Sequence, residues 1–147
     1  MVYLSICIQT YNRSVNLKNT IKSIVSQSEF METDEIEIVV SDNCSTDNTE
    51  EIMKQFLVTY PTKITYHRNE ENIIDRNFEK VLSLGSGIIL KLNNDTLTLN
   101  PGSLAPLLKV IKYCAQNNLT PFLLNGVKPK YKESILCTDI SGFISTT

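Results

Sequence analysis

Lys91-Leu92-Asn93-Asn94-Asp95-Thr96 continues an apolar run, Gly87 to Leu92, that reads as a buried strand. Asn93, Asn94 and Asp95 then stand at the carboxyl end of that strand. In an open α/β sheet this edge is where ligands bind. One carboxylate beside two amides suits a hard cation carrying phosphate oxygens, because such ions take oxygen donors and few protein carboxylates. A polar turn between strand and helix would use the same residues. Two other polar loops that end strands in the same way favour a site.

The first of these loops follows Tyr3 to Gln9, a mostly apolar run of strand formers. Thr10-Tyr11-Asn12-Arg13 ends it. Leu17, Ile21, Ile24 and Val25 then recur at helical spacing. Ser28 to Glu35 reads as a polar connection. Ile36 to Val40 is a second strand, and Ser41-Asp42-Asn43-Cys44-Ser45-Thr46-Asp47 is its loop. Asp47 with Glu50 three residues on resembles a capping box for the next helix, whose apolar face is Ile52, Met53, Phe56 and Leu57.

Pro61 closes that helix, and Ile64 to His67 is a shorter third strand. Ile74, Phe78, Val81 and Leu82 mark a third helix that Gly85 stops. Ile88 to Leu92 is the fourth strand. Asn100-Pro101 reads as an N-cap with proline at the first helical position. Leu104, Leu107, Leu108 and Ile111 form the face of the helix that follows. Thr120 to Leu124 reads as a fifth strand, and Ile135 to Ile144 as room for a sixth.

Strand and helix alternate throughout, which argues for a parallel sheet covered on both faces. Right-handed crossovers place the post-strand loops on one edge of that sheet. Thr10 to Arg13, Asp42 to Asp47 and Asn93 to Thr96 therefore converge on a single polar site. Arg13 can pair with phosphate through its planar fork. Tyr11 can turn an aromatic face to a nucleobase. Asp42 can accept from a base N–H or a ribose hydroxyl, whereas Asp47 suits a structural cap. Arg76 can reach a phosphate, with Asp75 capping the third helix or holding Arg76.

Composition narrows the function classes. The chain has 147 residues, enough for one domain with a core, and a formal net charge of −2. Its dispersed charges give no electrostatic case for nucleic acid or an anionic membrane surface. The apolar stretches are too short to span a bilayer, and the start shows no secretory signal, so a cytoplasmic protein is expected, with peripheral attachment to the inner face of the membrane as the variant. Cys7, Cys44, Cys114 and Cys137 are scattered and read as reduced, mostly buried thiols. His67 is the one histidine, with no nucleophile motif beside it. No glycine-rich phosphate loop occurs, which disfavours Rossmann dehydrogenases and P-loop NTPases.

Four stretches together resemble the nucleotide-sugar-binding half of a family two, GT-A type glycosyltransferase of bacterial polysaccharide biosynthesis. They are Ser5 to Arg13, Val40 to Thr49, Asn72 with Asp75-Arg76-Asn77, and Asn93-Asn94-Asp95 followed by Pro101-Gly102. Gln9 stands where the family has proline, and Asn93 and Asn94 where it has a further acid. The resemblance implies an α/β, Rossmann-like GT-A three-layer sandwich with a mostly parallel sheet, incomplete at its C-terminal end. Residues 1–147 would be one nucleotide-sugar-binding domain, truncated relative to the full family domain.

The resemblance also implies a function: transfer of a sugar from a nucleotide-sugar donor to a glycan or lipid-linked acceptor, with inversion. Thr10, Tyr11, Asn12, Arg13, Asp42, Asn43, Asp75, Arg76, Asn93 and Asn94 would form the nucleotide-sugar site. Asp95 would ligate a divalent metal, Mn²⁺ or Mg²⁺, held more weakly because of Asn93 and Asn94. The catalytic base and acceptor site would lie beyond the chain, and Asp139 is not expected to be the base. Self-association or a partner chain could complete the fold. The alternative is a non-catalytic nucleotide-sugar-binding module or inactive fragment. A sugar nucleotidyltransferase is disfavoured, because Thr-Tyr-Asn-Arg replaces the glycine-rich, basic loop that class carries.

Overall fold

A computed structural model describes residues 1–119. The expected strands at 120–124 and 135–144, with Cys137 and Asp139, lie outside the described residues. In chain order the elements are β1 (Leu4–Thr10), α1 (Ser14–Val25), α2 (Ser28–Glu32), β2 (Ile36–Asp42), α3 (Thr49–Thr59), β3 (Ile64–Arg68), α4 (Arg76–Ser83), β4 (Ile89–Asn94) and α5 (Leu104–Gln116). The strands form one sheet in the order β3-β2-β1-β4, every pairing parallel. Register places Ile8 opposite Val40 on one side and Asn93 on the other, so the strands end together.

The period of two along each strand sorts side chains onto two faces. Leu4, Ile6 and Ile8 of β1 and Ile36, Ile38 and Val40 of β2 share a face and pack with Leu17, Ile21 and Ile24 of α1, Met53 of α3 and Leu104 and Ile111 of α5. Cys7 and Val39 point the other way, against Val81 of α4. The sheet thus has helices on both faces, giving the expected three layers. Cys7 and Cys114 are buried and Cys44 half-buried, and all three are free thiols. Burial, and then the nearby Glu37 charge, push the Cys7 thiol up to about 11, so it stays protonated.

Gly87 makes the sheet edge possible. A β-carbon there would sit 2.7 Å from the Ser5 amide nitrogen. Without one, the Gly87 N–H donates to Ser5 Oγ at 2.7 Å and the chain enters β4 beside β1.

The structure corrects several sequence expectations. The connection Ser28 to Glu35 contains α2, five residues long, with Phe30 fully buried. Burying a phenylalanine stabilises by about 1.5–3 kcal/mol, enough to order a helix too short to show periodicity. Lys63 Nζ satisfies its free carbonyls, donating to Phe30 O at 2.8 Å and Thr33 O at 2.7 Å.

The expected capping box at Asp47 and Glu50 does not form. Glu50 reaches Lys54 Nζ at 2.9 Å instead, one turn along α3. The last described helix begins at Leu104 with Ser103 as its N-cap, because Asn100 to Ser103 is a turn closed by Ser103 N–H to Asn100 O at 3.1 Å. β4 is half-exposed rather than buried, with Leu90 and Leu92 at 40% and 39%. It is an edge strand among the described residues, and α4 covers β1 and β2 in preference to it. Finally, α4 starts at Arg76, so Ile74 lies outside the helix and is 72% exposed.

Candidate functional site

At the carboxyl edge of the sheet the chain leaves β1 through Asn12, at φ 52°, a conformation asparagine tolerates. The Asn12 side chain fastens this loop to the next one. Its Oδ1 accepts the Thr46 N–H at 2.7 Å, and its own N–H donates to Ser45 Oγ at 2.8 Å. Asp47 completes the lashing. Its Oδ2 accepts the Ser14 N–H at 2.9 Å and its Oδ1 the Thr49 N–H at 3.1 Å, so one carboxylate serves the N-termini of α1 and α3. A negative charge is favoured at both positions.

The turn at Asn12 sends Arg13 back toward β4. Arg13 Nη1 lies 3.2 Å from Asp95 Oδ1. The Thr10 hydroxyl donates to Asp95 Oδ2 at 2.9 Å, and the Thr20 hydroxyl to the Asp95 carbonyl at 2.7 Å. Asp95 is 3% exposed, whereas the Arg13 side chain is 54% exposed. Arg13 is thus a half-exposed cation paired with a buried carboxylate.

A cavity of about 300 Å³ opens above this pair. Of the residues expected from sequence, Thr10, Tyr11, Arg13, Asn43, Asp75, Asn94 and Asp95 line it. Gln9, Asn72, Ile74, Asn77 and Phe78 line it too. Four expected residues are not brought into it. Asn12 is the fastener described above. Arg76 is exposed at the start of α4 and takes no part in the lining.

Asn93 lies on the α1 and α5 face of β4 and is 2% exposed. Its Nδ2 donates to Leu97 O at 2.9 Å, and its Oδ1 accepts from Lys91 Nζ at 2.7 Å. Burial lowers the Lys91 pKa. Asp42 is fully buried, its carboxylate taken up by the Ser45 N–H at 2.9 Å and the Tyr66 hydroxyl at 2.8 Å, with Arg68 Nε at 3.8 Å. Burial, and then the bond to Asp42, push the Tyr66 phenol well above its ordinary value.

Sequence reasoning named Asn43, Asn72 and Asn77 but missed Asn69, and missed that the four amides join in one chain at the cavity, buried except at Asn72. Asn77 Nδ2 donates to Ser41 O at 3.0 Å, and Asn77 Oδ1 accepts from Ser41 Oγ at 2.6 Å and Asn69 Nδ2 at 2.9 Å. Asn69 also donates to Asn43 Oδ1 at 3.3 Å, and Asn43 Nδ2 to Asn72 Oδ1 at 2.6 Å. The chain ties the end of β2 to the start of α4. Asparagine recurring at 69, 72 and 77 was the signal.

A divalent cation fits this site only in company. Among the described residues no group of three His, Cys, Asp or Glu side chains is close enough to hold an ion. Asp95 is one carboxylate in the cavity lining with Asn94 next to it in sequence, although Asn94 Oδ1 already accepts the Thr96 N–H at 3.2 Å and hydroxyl at 3.1 Å, so an ion here would take most of its oxygens from substrate phosphates and water.

A parallel sheet with helices on both faces and a polar cavity at its carboxyl edge defines an open α/β domain, and comparison with solved structures gives it the GT-A fold. TarS of S. aureus (residues 1–349) superposes with a TM-score of 0.65 at 22% identity, over 78% of this chain and 33% of that one. The mannosyltransferase PcManGT of Pyrobaculum calidifontis, solved with GDP-Man and Mn²⁺, does so with a TM-score of 0.64 at 20% identity, over 79% and 33%. At these identities the likeness shows the fold alone. The sequence places the chain further: it belongs to glycosyl transferase family 2, whose model matches residues 5–132. Abequosyltransferase RfbV of Salmonella typhimurium is 44% identical over 85 residues, 57% of this chain and 25% of that protein. The chain therefore spans between a quarter and a third of the length of these relatives.

No helix among the described residues is long and apolar enough to cross a membrane.

Proposed function

We propose that this chain is the donor-binding part of a glycosyltransferase that moves a sugar from a nucleoside diphosphate to a glycan or lipid-linked acceptor in the cytoplasm, with inversion. The observation that carries the reading is the buried Asp95 carboxylate at the cavity floor, oriented by Thr10 and paired with the half-exposed Arg13. The ligand that matches is an anion able to draw Arg13 away while offering oxygens to a cation. A diphosphate does both.

Tyr11, 44% exposed in the cavity wall, offers a ring face to the nucleobase. Arg13 forks onto diphosphate oxygens. Asn94 and Asp75 present amide and carboxylate groups for hydroxyls of the donor. Asp95, with Asn94 beside it, would hold Mn²⁺ or Mg²⁺, which when bound supplies Lewis-acid neutralisation of the leaving diphosphate. Inversion needs an acceptor hydroxyl deprotonated by a base opposite the donor. We place that base outside residues 1–119.

The test is thermal unfolding against a panel of nucleoside diphosphates, each with and without Mn²⁺. A ligand that binds the native state raises the midpoint by mass action. One nucleotide should raise it, more so with Mn²⁺. A cooperative transition that no nucleotide shifts at millimolar concentration sinks the reading. Release of sugar from the matching donor then separates a transferase from a binding module.

A further inference from the structure

Ile74 has φ 53°. This is the left-handed region, which a residue branched at Cβ occupies only under constraint. Two asparagines provide it. Asn43 Oδ1 accepts the Ile73 N–H at 2.8 Å, and Asn72 Oδ1 accepts the Ile74 N–H at 2.9 Å. Glycine would make the same turn without strain. The isoleucine side chain adds nothing to the core, since it is 72% exposed. It lines the cavity instead, with Phe78, itself 39% exposed.

Strand order locates this apolar lip. Asn43, which holds it, follows β2. The Arg13–Asp95 pair stands at the end of β4, and β1 lies between the two. The cavity therefore has the Arg13–Asp95 pair at its β4 end, and at its β2 end an apolar lip of Ile74 and Phe78 set among Asn43, Asn72, Asn77 and Asp75. A nucleoside diphosphate has the same polarity, with anionic phosphates at one end and a flat, apolar-faced ring at the other.

We propose that Ile74, held in a strained conformation by Asn43 and Asn72, is a donor-binding residue that packs on the face of the donor's nucleobase, with Phe78 extending that surface. The inference rests on the donor-site reading above. It explains why a strained isoleucine occupies a turn that glycine would serve: its side chain is the wall of the base end. Base stacking on side chains is tolerant of base identity but sensitive to loss of the surface.

The experiment compares wild type with Ile74→Gly and Ile74→Leu, measuring the ligand-free unfolding midpoint and the affinity for two probes in Mn²⁺. One probe is the nucleoside diphosphate that best stabilises wild type; the other is inorganic pyrophosphate, which engages only the charged end. Ile74→Gly should keep or raise the ligand-free midpoint, because strain is relieved. It should weaken nucleoside diphosphate binding about tenfold, the scale of one lost stacking surface, and leave pyrophosphate unchanged. Ile74→Leu should retain nucleoside diphosphate affinity, since apolar surface remains.

Equal nucleoside diphosphate affinity in Ile74→Gly and wild type overturns the proposal. So does equal loss of both probes, which assigns Ile74 to loop placement, or a lowered ligand-free midpoint, which removes the strain argument. If neither probe shifts the wild-type midpoint, the donor-site reading falls and takes this inference with it.

Discussion

The Thr10 hydroxyl donates to the Asp95 carboxylate at 2.9 Å, joining the ends of β1 and β4 across 85 positions of sequence. The bond sets where the carboxylate points before any ligand arrives. Thr10→Val keeps the shape and removes the donor. It should cost about 1–3 kcal/mol, because a buried carboxylate oxygen loses its partner. Urea unfolding measures the cost. The variant should also lose part of the Mn²⁺-dependent nucleotide stabilisation; a variant as stable as wild type with full Mn²⁺ dependence would contradict the role given to Thr10.

Asp95→Ala tests the floor of the site. A loop aspartate would be cheap to remove, but this one is 3% exposed and bonded to Thr10 and Arg13. The substitution should cost about 1–3 kcal/mol and eliminate any difference between nucleotide binding with and without Mn²⁺. Calorimetric titration reads the second effect. Full Mn²⁺ dependence in Asp95→Ala removes this residue from the cation site.

Arg13→Ala should behave differently. The Arg13 side chain is 54% exposed, so its ion pair contributes little to the fold, and the stability change should stay within about 1 kcal/mol. Nucleoside diphosphate affinity should nonetheless fall about tenfold or more, with a weaker dependence on salt, since a charge-assisted phosphate contact is gone. Unchanged affinity at low salt would show that Arg13 serves Asp95 alone.

The sequence and the site can be compared residue by residue. Strand–helix alternation and the three converging loops were legible because they rest on local signals: period, β-branching and turn residues. Tyr11, Arg13 and Asp95 followed from chemistry at a known sheet edge. Asp42 did not, because what decides its environment is Tyr66 and Arg68, partners on β3 that no local pattern announces. Asn93 was misplaced for a related reason. Alternation along β4 turns it to the face it shares with Ile8, away from the cavity that its neighbour Asn94 lines. Ile74 was read as marking the third helix, yet α4 begins two residues later and leaves it at the cavity mouth.

Asn77→Ala probes the buried amide chain. It strips partners from Ser41 Oγ, Ser41 O and Asn69 Nδ2, all away from water. The cost should be about 2–3 kcal/mol, several times that of a surface substitution. Because the chain also reaches Asn43 and Asn72, hydrogen exchange in residues 69–76 should speed up in the variant. Exchange unchanged there would mean that the loop is held by backbone bonds alone.

Asp47 ties the first two loops together, and its charge is tested by pH. Burial is the largest single influence and raises its pKa, but the hydrogen bonds from Thr49 and Ser14 together outweigh it and hold the carboxyl below the ordinary 3.8. A carboxyl depressed in the folded state adds stability above its unfolded pKa, and that stability is lost as pH falls through the folded value. Asp47→Asn removes the charge at every pH. Wild type should therefore be the more stable at pH 7, and the gap between the two urea midpoints should narrow as pH falls below 3.8. Acid effects of the other carboxylates are common to both proteins and cancel in the difference. A gap that stays constant down to pH 3 would show that the carboxylate acts through its shape as an acceptor, with no contribution from its charge at the two helix N-termini.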